Sequence, residues 1–155
     1  MNVKTALFTA AIFLGLTGCS STQQVTLAKQ SIPNHVMTVS QVKQEDNSKD
    51  MDANLIQAVN SSGLQMKGSL PQGTAKSKDV DALISYQDTW RWDLVMYLKS
   101  VSVNLYDAKT GDLLVIGSWE NSALHSFPDS GQVVRNLLNE MVNKVRAAER
   151  ATSVN

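Results

Sequence analysis

The stretch Ala82-Leu83-Ile84-Ser85-Tyr86-Gln87-Asp88-Thr89-Trp90-Arg91-Trp92-Asp93 decides the fold. Apolar and polar residues alternate along it, as they do on the two faces of a β-strand. The residues expected on its apolar face are Ala82, Ile84, Tyr86, Trp90 and Trp92. An apolar face opposite a polar one is typical of a sheet that is covered on a single side. The stretch therefore predicts a central strand with its apolar face under a helix.

The alternation continues beyond this stretch and predicts two further strands. The same alternation is seen at Val101, Val103 and Leu105. Around Lys99 the apolar positions change from one face to the other, which predicts a β-bulge or a sharp bend. The segment 107–112 reads as a hairpin loop whose glycine allows a positive φ, and 113–119 reads as the returning partner strand.

A C-terminal helix supplies the cover for this sheet. Its apolar stripe consists of Val133, Val134, Leu137, Leu138, Met141, Val142 and Val145. Asp129 or Ser130 can cap its first turn. Full burial of such a stripe would contribute roughly 10 kcal/mol before conformational entropy is counted, so the helix is expected to dock on the sheet.

The chain before the central strand predicts a β-α-β unit. The run 36–42 is rich in β-branched residues and reads as a strand. A helix follows, with apolar residues at helical spacing and a stop at 61–63, and 64–68 reads as a second strand. These apolar helical residues are Met51, Leu55, Ile56 and Val59. A right-handed crossover between two parallel strands is expected.

Together these elements predict an α/β fold. We expect a two-layer sandwich with a mixed, mostly antiparallel sheet of about five strands, an N-terminal β-α-β unit and a C-terminal helix packed on the sheet. The predicted domain spans 32–148, and 149–155 is predicted to be a frayed tail.

The N-terminus carries a second strong signal, Leu16-Thr17-Gly18-Cys19. A basic start and a short apolar run precede it, which is the pattern of a secretory signal peptide over 1–18. The four residues resemble the lipobox of bacterial lipoproteins, in which the cysteine is lipidated and becomes the mature N-terminus. By that resemblance Cys19 is the lipidation site and Ser20 favours sorting to the outer membrane. The residues that follow are polar and lack periodicity, so 19–31 is expected to be a lipidated N-terminus and tether, although Val25 and Leu27 could add a short strand.

Composition narrows the classes of partner. The apolar run is too short to cross a bilayer, which needs about 20 residues. Without residues 1–18 the chain has 13 basic and 14 acidic residues, a balance that does not favour nucleic acid. Cys19 is the only cysteine, so a lipidated chain could form no disulfide and would depend on burial alone.

The central residues also resemble a family of small uncharacterised proteobacterial lipoproteins. The resemblance covers roughly 80–145 together with the lipobox. It rests on Thr89-Trp90-Arg91-Trp92-Asp93, Met96-Tyr97-Leu98, Trp119 and Phe127-Pro128. It implies a fold and an envelope location but no activity. In outline the architecture is similar to lipoprotein activators of cell-wall synthases and to a curli-secretion lipoprotein, which is analogy at the level of fold.

The sequence contains few residues that could serve in catalysis or metal binding. The chain has two histidines, and His35 has no catalytic partner in the pattern. His125, a serine and Asp129 could form a catalytic triad only on paper, and no Gly-x-Ser-x-Gly motif is present. The segment from Asp50 begins like a calcium loop, but its sixth and twelfth positions lack the required glycine and glutamate. We therefore predict no catalytic residue, no metal site and no cofactor.

Two interpretations of the aromatic face remain open. Tyr86, Trp90 and Trp92 could pack as core under the last helix, or they could form a platform for sugar rings. Asp88 lies on the same face, either as a partner for an indole N–H or as a sign of an open strand edge. The sequence predicts a non-enzymatic lipoprotein adaptor that binds an envelope protein through the loops 43–50 and 71–79 or through a sheet edge, with a cell-wall glycan-binding module as the alternative.

Overall fold

The structure is a computed structural model that describes residues 21–29, 32, 35–122 and 126–153. The lipobox with Cys19 and Ser20, as well as His125, lies outside the described residues.

Six strands and two helices make up the described chain. In order they are β1 (Thr22–Leu27), β2 (Thr38–Val42), α1 (Lys49–Ser61), β3 (Gln65–Leu70), β4 (Ala82–Asp93), β5 (Val95–Asp107), β6 (Leu113–Glu120) and α2 (Ser130–Ser153). The strands form one mixed sheet in the order β1-β6-β5-β4-β2-β3. β1, β6, β5 and β4 pair antiparallel, whereas β2 lies parallel to both β4 and β3. The predicted α/β architecture, including the parallel β2-α1-β3 unit, is confirmed.

The sixth strand changes the predicted domain limits. Residues 22–27 belong to the sheet as β1 and pair with β6, so the predicted tether over 19–31 is wrong for this segment. Of the six residues only Val25 is buried, which is why hydrophobic patterning did not establish the strand. At the other end α2 continues to Ser153 instead of fraying from residue 149.

Glu149 explains why the last helix continues past the predicted limit. Its Oε1 accepts a hydrogen bond from the backbone N–H of Val36 at 2.8 Å, and its Oε2 lies 2.7 Å from Nδ1 of His35. These contacts join the end of α2 to the segment that leads into β2.

Both helices cover the same face of the sheet and pack against each other. The whole predicted stripe of α2 is buried, and Asp129 caps the helix by accepting a hydrogen bond from the N–H of Gln132 at 2.9 Å. In α1, Met51, Leu55 and Val59 are buried as predicted. Ile56 is 41% exposed because it lies one position away from the buried stripe. The prediction that Ile56 faces the core was therefore wrong.

Gly117 of β6 marks the closest approach of α2 to the sheet. A Cβ atom at this position would lie 2.5 Å from Sδ of Met141 and 3.0 Å from Cδ1 of Leu137. The first distance is shorter than any ordinary contact of a Cβ atom and the second is at the lower limit, so a side chain at this position would displace Met141 and Leu137. The depth of the core therefore depends on a residue that has no side chain.

We expect Gly117→Val to lower the free energy of unfolding by about 2 kcal/mol or more, because overpacking forces Met141 and Leu137 out of their positions. Ser118→Val is the matched control, since it adds the same residue to the same strand on the face that lacks helices; its effect should stay near 0.5 kcal/mol. Urea unfolding of both variants measures the difference, and equal losses would contradict the close approach.

Candidate functional site

The β4–β5 hairpin projects beyond the rest of the sheet. β2 pairs with β4 only over 82–84, and β6 pairs with β5 only from Ser100 onwards. The segment 90–98 is therefore a two-stranded ribbon. At its base the register shifts so that Thr89 faces Ser100 while Trp90 faces Leu98, which leaves Lys99 as the extra residue. The bulge predicted around Lys99 is confirmed.

Residues 92–96, here called the hairpin tip, carry four of the eight exposed large apolar side chains among the described residues. Trp92 is 71% exposed, Leu94 82%, Val95 52% and Met96 58%. Single exposed apolar residues are ordinary, but four neighbours at one point mark a contact surface.

The turn of the hairpin adds a backbone constraint at the same place. Leu94 has a φ of 61° and is the only non-glycine residue with a positive φ among the described residues. Glycine or asparagine normally occupies this left-handed region, and another residue costs about 1–2 kcal/mol there. A leucine that is both strained and exposed gains little from burial within the domain, which makes it a candidate for contact with another molecule.

Close to the hairpin tip, Tyr97 and Phe127 extend the aromatic surface. Their rings meet edge to face, with centroids 5.7 Å apart and planes at 90°. Phe127 is 54% exposed and lies in the segment between β6 and α2. This contact holds that segment against the ribbon.

The three aromatic residues predicted to share a face do not form one platform. Tyr86 is 1% exposed and belongs to the core, Trp90 is half-buried against the core, and Trp92 projects into solvent. The core interpretation is confirmed for Tyr86 and wrong for Trp92. Alternation continues along β4, but Trp92 lies in the part of the ribbon that no neighbouring strand supports.

Asp88 fixes the position of Trp90 and of the start of α1. Its Oδ2 accepts hydrogen bonds from the indole N–H of Trp90 and, at 2.6 Å, from the hydroxyl of Ser48. Its Oδ1 accepts the backbone N–H of Ser48 at 3.3 Å. The interpretation of Asp88 as an indole partner is confirmed. Because the indole N–H is engaged, Trp90 presents no free donor to a ligand.

Asp52 forms a second polar cluster, with Tyr86. The Tyr86 hydroxyl donates to Oδ1 of Asp52 at 2.8 Å and contacts the carbonyl oxygen of Ser48 at 3.1 Å. Gln41 also donates to Oδ1, and Nζ of Lys43 lies 3.2 Å from Oδ2. Burial alone would raise the pKa of Asp52, but these donors outweigh it and lower the pKa. Burial, reinforced by the Asp52 carboxylate, raises the pKa of Tyr86 far above its usual value, so this phenol stays protonated.

The residues considered for calcium have other roles in this structure. Asp50 and Asp52 lie in the first turn of α1, where carboxylates interact favourably with the helix dipole. The oxygens of Asp52 are already used by protein donors. No group of three or more potential metal ligands occurs among the described residues.

Asp81 forms a third cluster, at the opposite end of β4. Its Oδ2 accepts the backbone N–H of Met37 at 3.1 Å, and the backbone N–H and hydroxyl of Thr38 at 2.8 Å each. Partial burial would raise the pKa of Asp81, but these donors lower it. The carboxylate connects the start of β2 to β4 and is a structural group.

Two shallow cavities lie along the predicted loop 71–79. One, of about 390 Å³, is lined by Lys76, Ser77, Lys78, Ala108 and Lys109. The other, of about 220 Å³, lies on the face of the sheet without helices, between the segment 73–75, Leu83, Ser85 and Tyr106. Its lining contains no charged side chain, so it offers neither a catalytic group nor an ionic contact.

The hairpin tip is a candidate site that sequence reasoning missed. Its signal was the run Leu94-Val95-Met96, three apolar residues where a turn would normally contain glycine, asparagine or aspartate.

Comparison with known proteins identifies a fold but no family. No protein-family model matches the chain, and no curated protein matches its sequence. A PelC dodecamer from Paraburkholderia phytofirmans matches with a TM-score of 0.55 and 14% identity, over 82% of this chain and 99% of that one. A second PelC dodecamer structure from the same organism gives 0.53 and 13%, over 81% and 96%. At such identities the likeness shows a shared fold.

A further match carries no argument because its TM-score is only 0.30. It is a minor lipoprotein from Acinetobacter baumannii, 12% identical, which aligns over 78% of this chain and 96% of its own. Within the described residues, no helix combines the length and hydrophobicity that a membrane span requires.

The two tryptophans of the ribbon should respond differently to truncation. Trp92→Ala is expected to change the free energy of unfolding by less than about 1 kcal/mol, because the ring is mostly in solvent. Trp90→Ala should cost about 2–3 kcal/mol, somewhat below the 3–5 of a fully buried ring, because it loses core contacts and the Asp88 bond. Urea unfolding measures both. Equal costs would mean that the ribbon is packed against something along its whole length.

Asp81 should make the domain sensitive to acid. A carboxyl group whose pKa is lowered by folding stabilises the fold above its unfolded pKa of about 3.9, and this stabilisation is lost as the pH falls through the lower folded value. Asp81→Asn is expected to cost about 1–2 kcal/mol at pH 7, and the difference from wild type should shrink below about pH 4. Urea melts at several pH values test this. The control is Asp79→Asn, an exposed neighbour, and a constant difference for Asp81→Asn would contradict the assignment.

Proposed function

We propose that this chain is a lipid-anchored protein of the bacterial outer membrane, facing the periplasm, that acts by binding as an adaptor or assembly subunit and not as an enzyme. The observation that carries the proposal is the contrast between its polar and apolar groups. The three carboxylate clusters at Asp52, Asp81 and Asp88 are engaged with donors inside the fold. The hairpin tip, in contrast, exposes a group of apolar side chains that the domain leaves uncovered.

The lipobox-like stretch supports the anchor. β1 begins at Thr22, three residues after Cys19. A lipid on Cys19 would therefore hold the folded domain close to the membrane, within a span of about 11 Å. Membrane anchoring of this kind needs no transmembrane helix.

Sheet edges and loops are the proposed contact regions for a protein partner. β1 and β3 are the outer strands, and β3 is largely exposed along its length. An outer strand presents backbone groups that another chain can pair with. The solved PelC structures are dodecamers. That observation favours a second copy of this chain as a partner to be tested first, beside another envelope protein.

The structure gives less support to the glycan-binding alternative. A sugar platform needs several exposed rings on one surface, whereas Tyr86 is buried and Trp90 is half-buried with its indole N–H bonded to Asp88. Trp92 alone presents its ring to solvent on that strand.

Complementation of a deletion strain tests the proposal. The double variant His35→Ala with His125→Ala should restore the phenotype fully, because an adaptor needs no titratable pair and the His35–Glu149 contact is exposed. The control Cys19→Ser should fail and leave the outer-membrane fraction. If the histidine variant folds but loses function, the adaptor hypothesis is wrong and an enzymatic role is favoured. If Cys19→Ser still fractionates with the outer membrane, the anchor is refuted. Crosslinking in intact membranes would then show whether the partner is a second copy.

A further inference from the structure

The hairpin tip and the start of β1 lie at the same end of the sheet. Thr22 pairs with Glu120, and Glu120 pairs with Ser100 of β5. β1 runs from this end towards Leu27. From Ser100 the ribbon continues for five more residues to Val95, which is about 17 Å at the rise of a β-strand.

The covalent reach of the chain relates this end to a bilayer. Cys19 is three residues from Thr22, so its Cα lies at most about 11 Å from that of Thr22. The ribbon projects farther than this in the direction that leads away from the sheet. A lipid on Cys19 therefore brings the membrane surface within reach of the hairpin tip.

We infer that the hairpin tip is a second membrane contact, which enters the headgroup region of the leaflet that holds the lipid on Cys19. The side chains fit this depth. Tryptophan favours the boundary between headgroups and hydrocarbon, while Leu94, Val95 and Met96 supply apolar surface.

The charges near the tip define how far it enters. Asp93 lies within the tip and Arg91 lies next to it on the ribbon. At the base of the ribbon, Nζ of Lys99 lies 3.4 Å from Oε1 of Glu120. Their charges balance, so attraction to anionic lipid is not the driving force. Asp93 within the tip opposes entry into hydrocarbon and limits the contact to the interface.

A lipid surface explains the conformation of Leu94 better than a second copy of the chain does. A contact between copies could form on any side of the domain, and nothing would tie it to the end that holds the anchor. Membrane contact requires that end, and the most exposed apolar residue of the tip is the strained leucine at its apex.

The test uses the full chain, lipidated and reconstituted into vesicles of phosphatidylethanolamine and phosphatidylglycerol. Because acylation occupies the only native cysteine, Leu94→Cys introduces a single free thiol for an environment-sensitive fluorophore. Lys109→Cys, in the β5–β6 turn at the opposite end of the sheet, is the matched control. Met96→Cys is the second probe if Leu94→Cys does not fold.

The label at position 94 should gain at least two-fold in emission on vesicles, and lipids brominated near the headgroup should quench it, whereas the label at 109 should do neither. Adding Trp92→Ser and Met96→Ser should reduce the gain at least three-fold without changing the melting temperature. Equal signals at both positions, or no quenching at 94, would overturn the inference. So would a gain that rises with protein concentration in detergent without vesicles, which would assign the tip to a second copy.

The inference rests on acylation of Cys19, and the intact mass of the purified chain reports that step separately. An acylated chain with an unquenched tip would refute membrane contact alone. A chain without acyl groups would refute the anchor in the proposed function.

Discussion

The distance between α2 and the sheet is the constraint on which the rest of the structure depends. At Gly117 the helix lies so close to β6 that a side-chain carbon would collide with Met141 and Leu137. This spacing lets the full apolar stripe of α2 reach the sheet, and α1 packs beside it on the same face. The opposite face therefore stays largely polar, with only a small apolar cluster around Leu83 and Val42.

Three carboxylates then fix the relative positions of the helices and strands that pack in the apolar layer. Tyr86 reaches from β4 to Asp52 of α1, and Asp88 holds the residue that precedes α1. Asp81 ties β4 to the start of β2. These three carboxylates join elements that hydrophobic burial alone would leave free to slide. Their donors also show that all three carboxylates serve the fold, including Asp52 and Asp88, which the sequence analysis had singled out.

The sequence revealed the features that depend on local periodicity. The stripe of α2, the β-α-β unit and the bulge at Lys99 all leave a pattern in neighbouring residues. β1 left almost none, because an outer strand with one buried residue, Val25, lacks alternation. Val25 and Leu27 were compatible with a short strand, but the pairing with β6 that establishes it is a contact distant in the chain.

The candidate site was harder to predict than the fold, for a related reason. Alternation placed Trp92 on the same face as Tyr86, and on an ideal strand it does continue that face. How far neighbouring strands support a ribbon is a property of the whole sheet, however, and β2 and β6 end before the ribbon does. Asp88 was easier, because its indole partner is two residues away.

The pairing of β1 also determines how the domain bears load. Tension from a lipid on Cys19 would enter at Thr22 and act along β1, away from the sheet. The hydrogen bonds between antiparallel strands lie perpendicular to that direction, so the pairs from Thr22–Glu120 to Leu27–Val115 would be sheared together rather than opened one at a time. Under such tension β1 would resist as a unit and pass the force to β6, the strand beside it in the sheet.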